Sequence, residues 1–292
     1  MTSTPVWNET TIKQAISQVT AMRPAYTTIL GFYGPVFVAQ SHAAEDTCPE
    51  AIRIDRSLLE MQLKEGFSLI EPAAFTVDVP AAEKLLVQIC RIAVQSGEKL
   101  GGAGEVLTRA MNEGVPMAPM FNDVLDDKGR VQELAKTTHA PADMLSLLLY
   151  LAVKPSIEAG SRQLAVHLAS SLENRGNCPV CGRTPILGEL DAEGKQWVHC
   201  GLCWHRWPAA RMACPFCQNR DSAALEYFFS DDEPEFRVNL CGGCKRYLKV
   251  VDTRKMDRRF YAPLEQVTSL HLDLLATEKG YIQAVTPAGV LH

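Results

Sequence analysis

Eight of the ten cysteines in this 292-residue chain fall in four C-x-x-C pairs: Cys178/Cys181, Cys200/Cys203, Cys214/Cys217 and Cys241/Cys244. A C-x-x-C turn sets two thiolates on one side of a tight loop, and two such turns facing each other make a tetrahedral cage of four sulfurs. Four turns predict two cages, with these eight cysteines as metal ligands. The pairs form an internal repeat: CPVC, 18 residues, CGLC, and then CPFC, 23 residues, CGGC. Each half opens on Cys-Pro-x-Cys and closes on Cys-Gly-x-Cys. The economical reading is one small ribbon copied in tandem, joined by residues 204–213. It pairs Cys178/Cys181 with Cys200/Cys203, and Cys214/Cys217 with Cys241/Cys244.

A ribbon of this size buries too little apolar surface to fold alone, so a structural metal supplies the missing free energy. Four thiolates suit zinc, and they equally suit a mononuclear iron. Gly182 follows the first pair and eases its turn, whereas Trp204, Gln218 and Lys245 follow the other three, which predicts less regular turns there. His199 and His205 flank a cage, but each cage already has four sulfurs. Cys48 and Cys90 lack a C-x-x-C partner, and Cys90 lies in an apolar helical stretch as a core residue. Trp204 and Trp207 are expected to cover a small metal core.

Charge separates this module from the rest. Residues 176–262 hold 13 Lys/Arg against 11 Asp/Glu, whereas the remainder holds 16 against 23. The net charge of −5 gives no general attraction to nucleic acid or anionic membranes. The start, MTSTPVWNETTIKQ, lacks a basic segment followed by an apolar one, so no signal peptide is expected. The most apolar stretch, residues 144–153, ends at Lys154-Pro155, far short of the roughly 20 residues of a membrane span. A soluble, cytoplasmic protein is expected, where a reducing environment favours metal ligation over disulfides.

Residues 1–175 read as a helical domain. Ile12, Ile16 and Val19 form one stripe, and Leu58, Leu59 and Leu63 another, with Ser57 as a cap. Pro80 opens a helix carrying Leu85, Leu86, Ile89 and Ile92. Leu145, Leu148, Leu149 and Ala152 continue to Pro155, after which Ile157, Leu164, Leu168 and Leu172 mark a further helix. The segments around Gly101-Gly102 and Met111 to Met120 read as loop with partial helix. At Asn174-Arg175-Gly176-Asn177 the pattern changes to short strands: 186–187, 196–199, 224–229, 236–240 and 247–251. From Pro263 a final helix places Leu264, Val267, Leu270, Leu274 and Leu275 on one stripe. The expected fold is α+β: a helical domain (1–175), two metal modules (176–211 and 212–262), and a C-terminal helix (263–292) packing back on the helical domain.

The run Lys245, Arg246, Lys249, Arg254, Lys255, Arg258 and Arg259 is the best nucleic-acid candidate. Asp252 and Asp257 interrupt it, however, and Asp231-Asp232-Glu233 lies in the same ribbon. This favours a solvated or protein-binding face. No phosphate loop, zinc-protease helix or nucleophile elbow is present, so no catalytic constellation is expected.

The order CPVCGRTP, CGLCWHRW, CPFCQNRD, CGGCKRYLKVVD and SLHLDLLATEKGY resembles the formate dehydrogenase accessory proteins, the FdhE family. The upstream GFSLIEP and the helix-rich first half resemble that family more loosely. The resemblance implies a cytoplasmic, non-enzymatic assembly factor acting on the catalytic subunit of respiratory formate dehydrogenase. It also implies rubredoxin-like iron sites in the cysteine-rich part, and all eight ligand positions are present. Zinc remains the alternative metal, and a nucleic-acid-binding zinc ribbon the alternative function.

Overall fold

The computed structural model describes residues 7–126, 128–168 and 175–283. Leu172 and Asn174, which the sequence reading used, lie outside them. The described residues form two compact units, one of 7–51 with 75–159, the other of 52–74 with 160–283.

The first unit is helical. α1 (Glu9–Met22) starts at a reciprocal cap in which Asn8 and Thr11 bond each other's backbone N–H. Its buried stripe is Ile12, Ala15 and Val19. α2 (Thr27–Asp46) follows, and α3 (Arg56–Glu65) belongs to the second unit. Asp55 rather than Ser57 caps α3, accepting from the Ser57 N–H at 2.9 Å. α4 (Val79–Val94) begins at Asp78 and Pro80, and buries Leu85, Leu86 and Ile89.

α5 (Glu98–Asn112) is a full helix across the Gly101-Gly102 segment expected to be loop with partial helix. Its glycines permit close helix packing rather than a break: a Cβ at Gly104 would sit 3.0 Å from the Cys90 carbonyl oxygen on α4. α6 (Ala118–Asp126) and α7 (Arg130–Thr138) are short. α8 (Ala142–Ala165) is one helix where two were expected, because it continues through Pro155. The proline lacks the N–H that would bond the Leu151 carbonyl. Buried Gln40 of α2 donates to that carbonyl instead, at 2.7 Å.

The second unit is built on a six-stranded sheet. Its strands are β1 (Pro185–Leu190), β2 (Gln196–Cys200), β3 (Arg206–Pro208), β4 (Leu225–Phe229), β5 (Phe236–Cys241) and β6 (Tyr247–Asp252). Five were legible as alternating segments; β3 was not. The order is β3-β2-β1-β6-β5-β4. All neighbours are antiparallel except β1 and β6, which pair in parallel from Leu187↔Lys249 to Leu190↔Asp252.

This joint follows from the sequence repeat. In each half a C-x-x-C turn precedes the first strand and another follows the second, so β1, β2 and β3 correspond to β4, β5 and β6. Two like-oriented copies laid side by side bring the first strand of one against the third strand of the other, and those run the same way. The halves are therefore two parts of a single sheet. Their four C-x-x-C turns lie at the same end of it.

The C-terminal segment packs on this sheet. α9 (Ala262–Val267) and α10 (Leu270–Glu278) replace the single expected helix. Ala262, Leu272 and Ala276 share a core with Leu187, Phe236, Val238, Tyr247 and Val251. The expected stripe fails at Leu274 and Leu275, which are exposed. Asp273 takes the inward position because Lys249 of β6 is wholly buried beneath it, at 2.7 Å. The Lys249 ammonium also donates to the Gln266 and Ser269 carbonyls, and Tyr247 Oη donates to Asp273. A buried ammonium requires such partners.

Candidate metal centres

Each C-x-x-C turn is held by the same backbone pattern. The N–H of its first cysteine bonds the carbonyl five residues on: Cys178 to Arg183, Cys200 to His205, Cys214 to Asn219 and Cys241 to Arg246, at 2.8–3.0 Å. The N–H after the second cysteine returns to the first cysteine's carbonyl at Gly182, Gln218 and Lys245. All four residues at that position are left-handed, with φ of 72° at Gly182, 56° at Trp204, 60° at Gln218 and 57° at Lys245. The turns are thus alike where the sequence predicted irregularity. The hydrogen bonds impose a conformation that three of these side chains disfavour.

Four sulfurs converge in each half, grouped Cys178, Cys181, Cys200, Cys203 and Cys214, Cys217, Cys241, Cys244. This is the pairing within each half that the repeat suggested. Sγ–Sγ separations are 3.5–3.6 Å in the first group, and 3.7 Å for Cys214–Cys244 and Cys217–Cys241. A tetrahedral ion with bonds of about 2.3 Å separates its sulfurs by roughly 3.8 Å. A disulfide would bring them to about 2.05 Å. Backbone N–H groups of Leu202 and Cys203 point at Cys200 Sγ, and that of Phe216 at Cys214 Sγ. These donors stabilise thiolate charge, so both groups fit a cation held by four sulfurs.

Burial pushes the Cys178 and Cys203 thiols well above the usual range. Burial opposes ionisation of Cys200 too, but hydrogen bonds from its three partner thiols hold it well below that range. Cys241 is brought down to about 7: burial works against this, while the Cys244 and Gly243 N–H groups and the Cys217 thiol favour it.

The surroundings differ. GFSLIEP docks on the first turn: the Leu69 and Ile70 N–H groups bond the Pro179 and Val180 carbonyls at 3.0 Å. Arg175 donates to the Phe67 and Leu63 carbonyls, and its own carbonyl accepts from Trp207 Nε1. Trp207 is buried, as a covering aromatic should be. His199 is not a ligand and bonds Glu189 at 2.9 Å. His205 stacks on Trp207, and burial lowers it to about 4, so it stays neutral. Buried Cys90 has its thiol raised to about 11 by burial, and Cys48 is exposed.

Three of the seven residues of the basic run are held in ion pairs within the unit, while Lys245, Lys255 and Arg259 are exposed. Lys249 is spent on Asp273, and Arg258 forms a buried two-pronged pair with Glu265. Arg254 grips Asp252 at 2.7 Å through both Nε and Nη2. Lys245 lies over the Tyr281 ring and Arg246 over the Phe216 ring. These internal duties are invisible in a list of charges. No helix among the described residues is long and apolar enough to cross a membrane.

No protein-family model matches the chain. It is 36% identical over 110 residues to the FdhE homologue of Aquifex aeolicus, covering 36% of this chain and 38% of that protein. It is 32% identical over 144 residues to the homologue of Haemophilus ducreyi, covering 48% and 46%. Against protein FdhE of Escherichia coli K12 it is 30% identical over 149 residues, covering 50% and 46%. The matches thus span less than half the length of these relatives. In fold, the chain is similar to the crystal structure of the FdhE protein from Pseudomonas aeruginosa. That likeness has a TM-score of 0.65 at 16% identity and covers 98% of both chains.

Proposed function

We propose that this FdhE-family chain holds a metal ion in each sulfur cage and serves as a non-enzymatic factor in the assembly of a respiratory formate dehydrogenase, through contact with its catalytic subunit. The observation that carries the reading is the pair of complete four-sulfur cages at one end of a single sheet. A four-sulfur shell leaves no open position for substrate, so the ions stabilise and present a surface. We assign iron as the native ion in at least one cage, on the family resemblance and on the suitability of a tetrahedral S4 shell for a mononuclear iron. All eight ligands as free thiols suit the reducing cytoplasm.

Two measurements test this. Protein prepared without air and then oxidised should show the visible colour of ferric S4 iron, and full occupancy by zinc alone would count against iron. A pull-down from cells making the respiratory enzyme should recover its catalytic subunit. Retention of nucleic acid through high-salt washing, with no formate dehydrogenase recovered, would put the nucleic-acid-binding ribbon in its place.

A further inference from the structure

The two cages share their turn geometry but not their cover. In the first, Cys178, Cys181, Cys200 and Cys203 are at most 2% exposed. The residues inside its turns, Val180 and Leu202, are buried as well, and the Leu69–Ile70 segment closes over Pro179 and Val180. In the second, Cys214 and Cys241 are buried, but Cys217 is exposed and Cys244 half-buried. The corresponding positions inside its turns are half-buried Phe216 and exposed Gly243. Cover reaches the Cys214 turn, where a Cβ at Gly176 would lie 2.9 Å from the Pro215 carbonyl oxygen, and the Cys241–Cys244 turn, where the Gly242 N–H bonds the Ala224 carbonyl at 2.8 Å. The Cys217 side has no comparable lid among the described residues.

We propose that the two centres divide their duties: the Cys178–Cys203 cage retains its ion, and the second exchanges its ion with solution through Cys217. This rests on the reading that both cages hold metal. Exchange at a saturated S4 site requires an incoming ligand to approach the ion while one thiolate departs. The metal–Cys217 bond would break first as a bond to the incoming ligand forms, the bonds to Cys214, Cys241 and Cys244 would follow as further ligand atoms replace them, and the released thiolates would take protons from the buffer acid; no electron is transferred. In the first cage an incoming ligand meets buried apolar side chains on the turns and a departing thiolate has no solvent to enter, so the same step needs the unit to open. Control of solvent access by the shell around a site governs its lability. The exchangeable centre is thus the one through which metal supply can set the state of the protein.

The test uses the full chain loaded with two equivalents of cobalt(II), whose S4 complex absorbs in the visible, and challenged with excess EDTA. One equivalent should leave fast and one slowly, with rates roughly tenfold or more apart. Cys217→Ser should remove or accelerate the fast phase and leave the slow phase unchanged. On the unsubstituted metal-loaded chain, iodoacetamide followed by peptide mapping should label Cys217 before the other seven ligands. This second readout does not depend on a variant folding. Loss of both equivalents in a single phase, or first labelling in the Cys178–Cys203 cage, overturns the division of duties alone. Failure to bind two equivalents with an S4 spectrum overturns the metal reading itself, and the inference with it.

Discussion

At the residue scale, the left-handed position closing each turn carries a measurable strain. Gln218 holds φ of 60° on an exposed side chain whose amide donates a long 3.4 Å bond to the Pro215 carbonyl of its own turn. An L-residue in this region costs about 1–2 kcal/mol relative to right-handed geometry, and glycine escapes most of that while giving up some chain entropy. Gln218→Gly should therefore raise the unfolding free energy of the metal-loaded protein by about 0.5–1 kcal/mol. Gly182→Ala should do the opposite, because its φ is 72° and an added Cβ would press on Ser68 Oγ at 3.1 Å. Urea unfolding of the two variants should move in opposite directions; equal shifts would mean that the turns relax around either residue. The sequence showed glycine at only one of these positions. Conformational demand came from the turn's hydrogen bonds rather than from residue preference.

At the element scale, the C-terminal helix pair is tied to the sheet by one charge. Lys249 is fully buried, and Asp273 of α10 answers it at 2.7 Å while also accepting from Tyr247 Oη. Breaking a buried pair by removing one partner typically costs about 3–5 kcal/mol, because the other charge is stranded. Asp273→Ala should destabilise the sheet unit by that amount, read by urea unfolding. Lys249→Met combined with Asp273→Leu should recover much of it. A double variant as unstable as the single one would show that packing, not the charge, decides. Periodicity alone misassigned these helices: it selected Leu274 and Leu275 as inward, whereas a buried lysine on a strand facing them selected an aspartate.

At the scale of the whole molecule, the repeat predicts two ribbons, and the parallel β1–β6 joint makes them one sheet with one core. Loss of the buried Cys178–Cys203 cage should therefore be felt in both halves. Cys181→Ser removes a ligand from a centre whose metal supplies folding free energy. Limited proteolysis of this variant should open cleavage throughout residues 176–283, while fragments containing α4 and α5 survive. If only 176–211 became labile and the second cage kept its ion, the halves would unfold as independent modules despite sharing a sheet.

What the sequence determined by itself is local chemistry: eight thiols at fixed spacing, their pairing within each half, five of the six strands, and helices wherever an apolar stripe was strong. These follow from contacts within a few residues or from an exact repeat. What the tertiary structure decided depends on partners distant in the chain. Gln40 bonds the carbonyl freed by Pro155, so one helix replaces two. Gly104 allows α5 to approach α4. Of the seven basic residues from Lys245 to Arg259, three are paired with Asp273, Asp252 and Glu265. The difference in cover between the cages is of the same kind, since the two C-P-x-C…C-G-x-C units look equivalent on paper. Leu69 and Ile70, more than a hundred residues upstream of Cys203, close over one of them, and nothing comparable among the described residues closes over Cys217. Burial is a property of what the rest of the chain brings near, and spacing along the chain does not encode it.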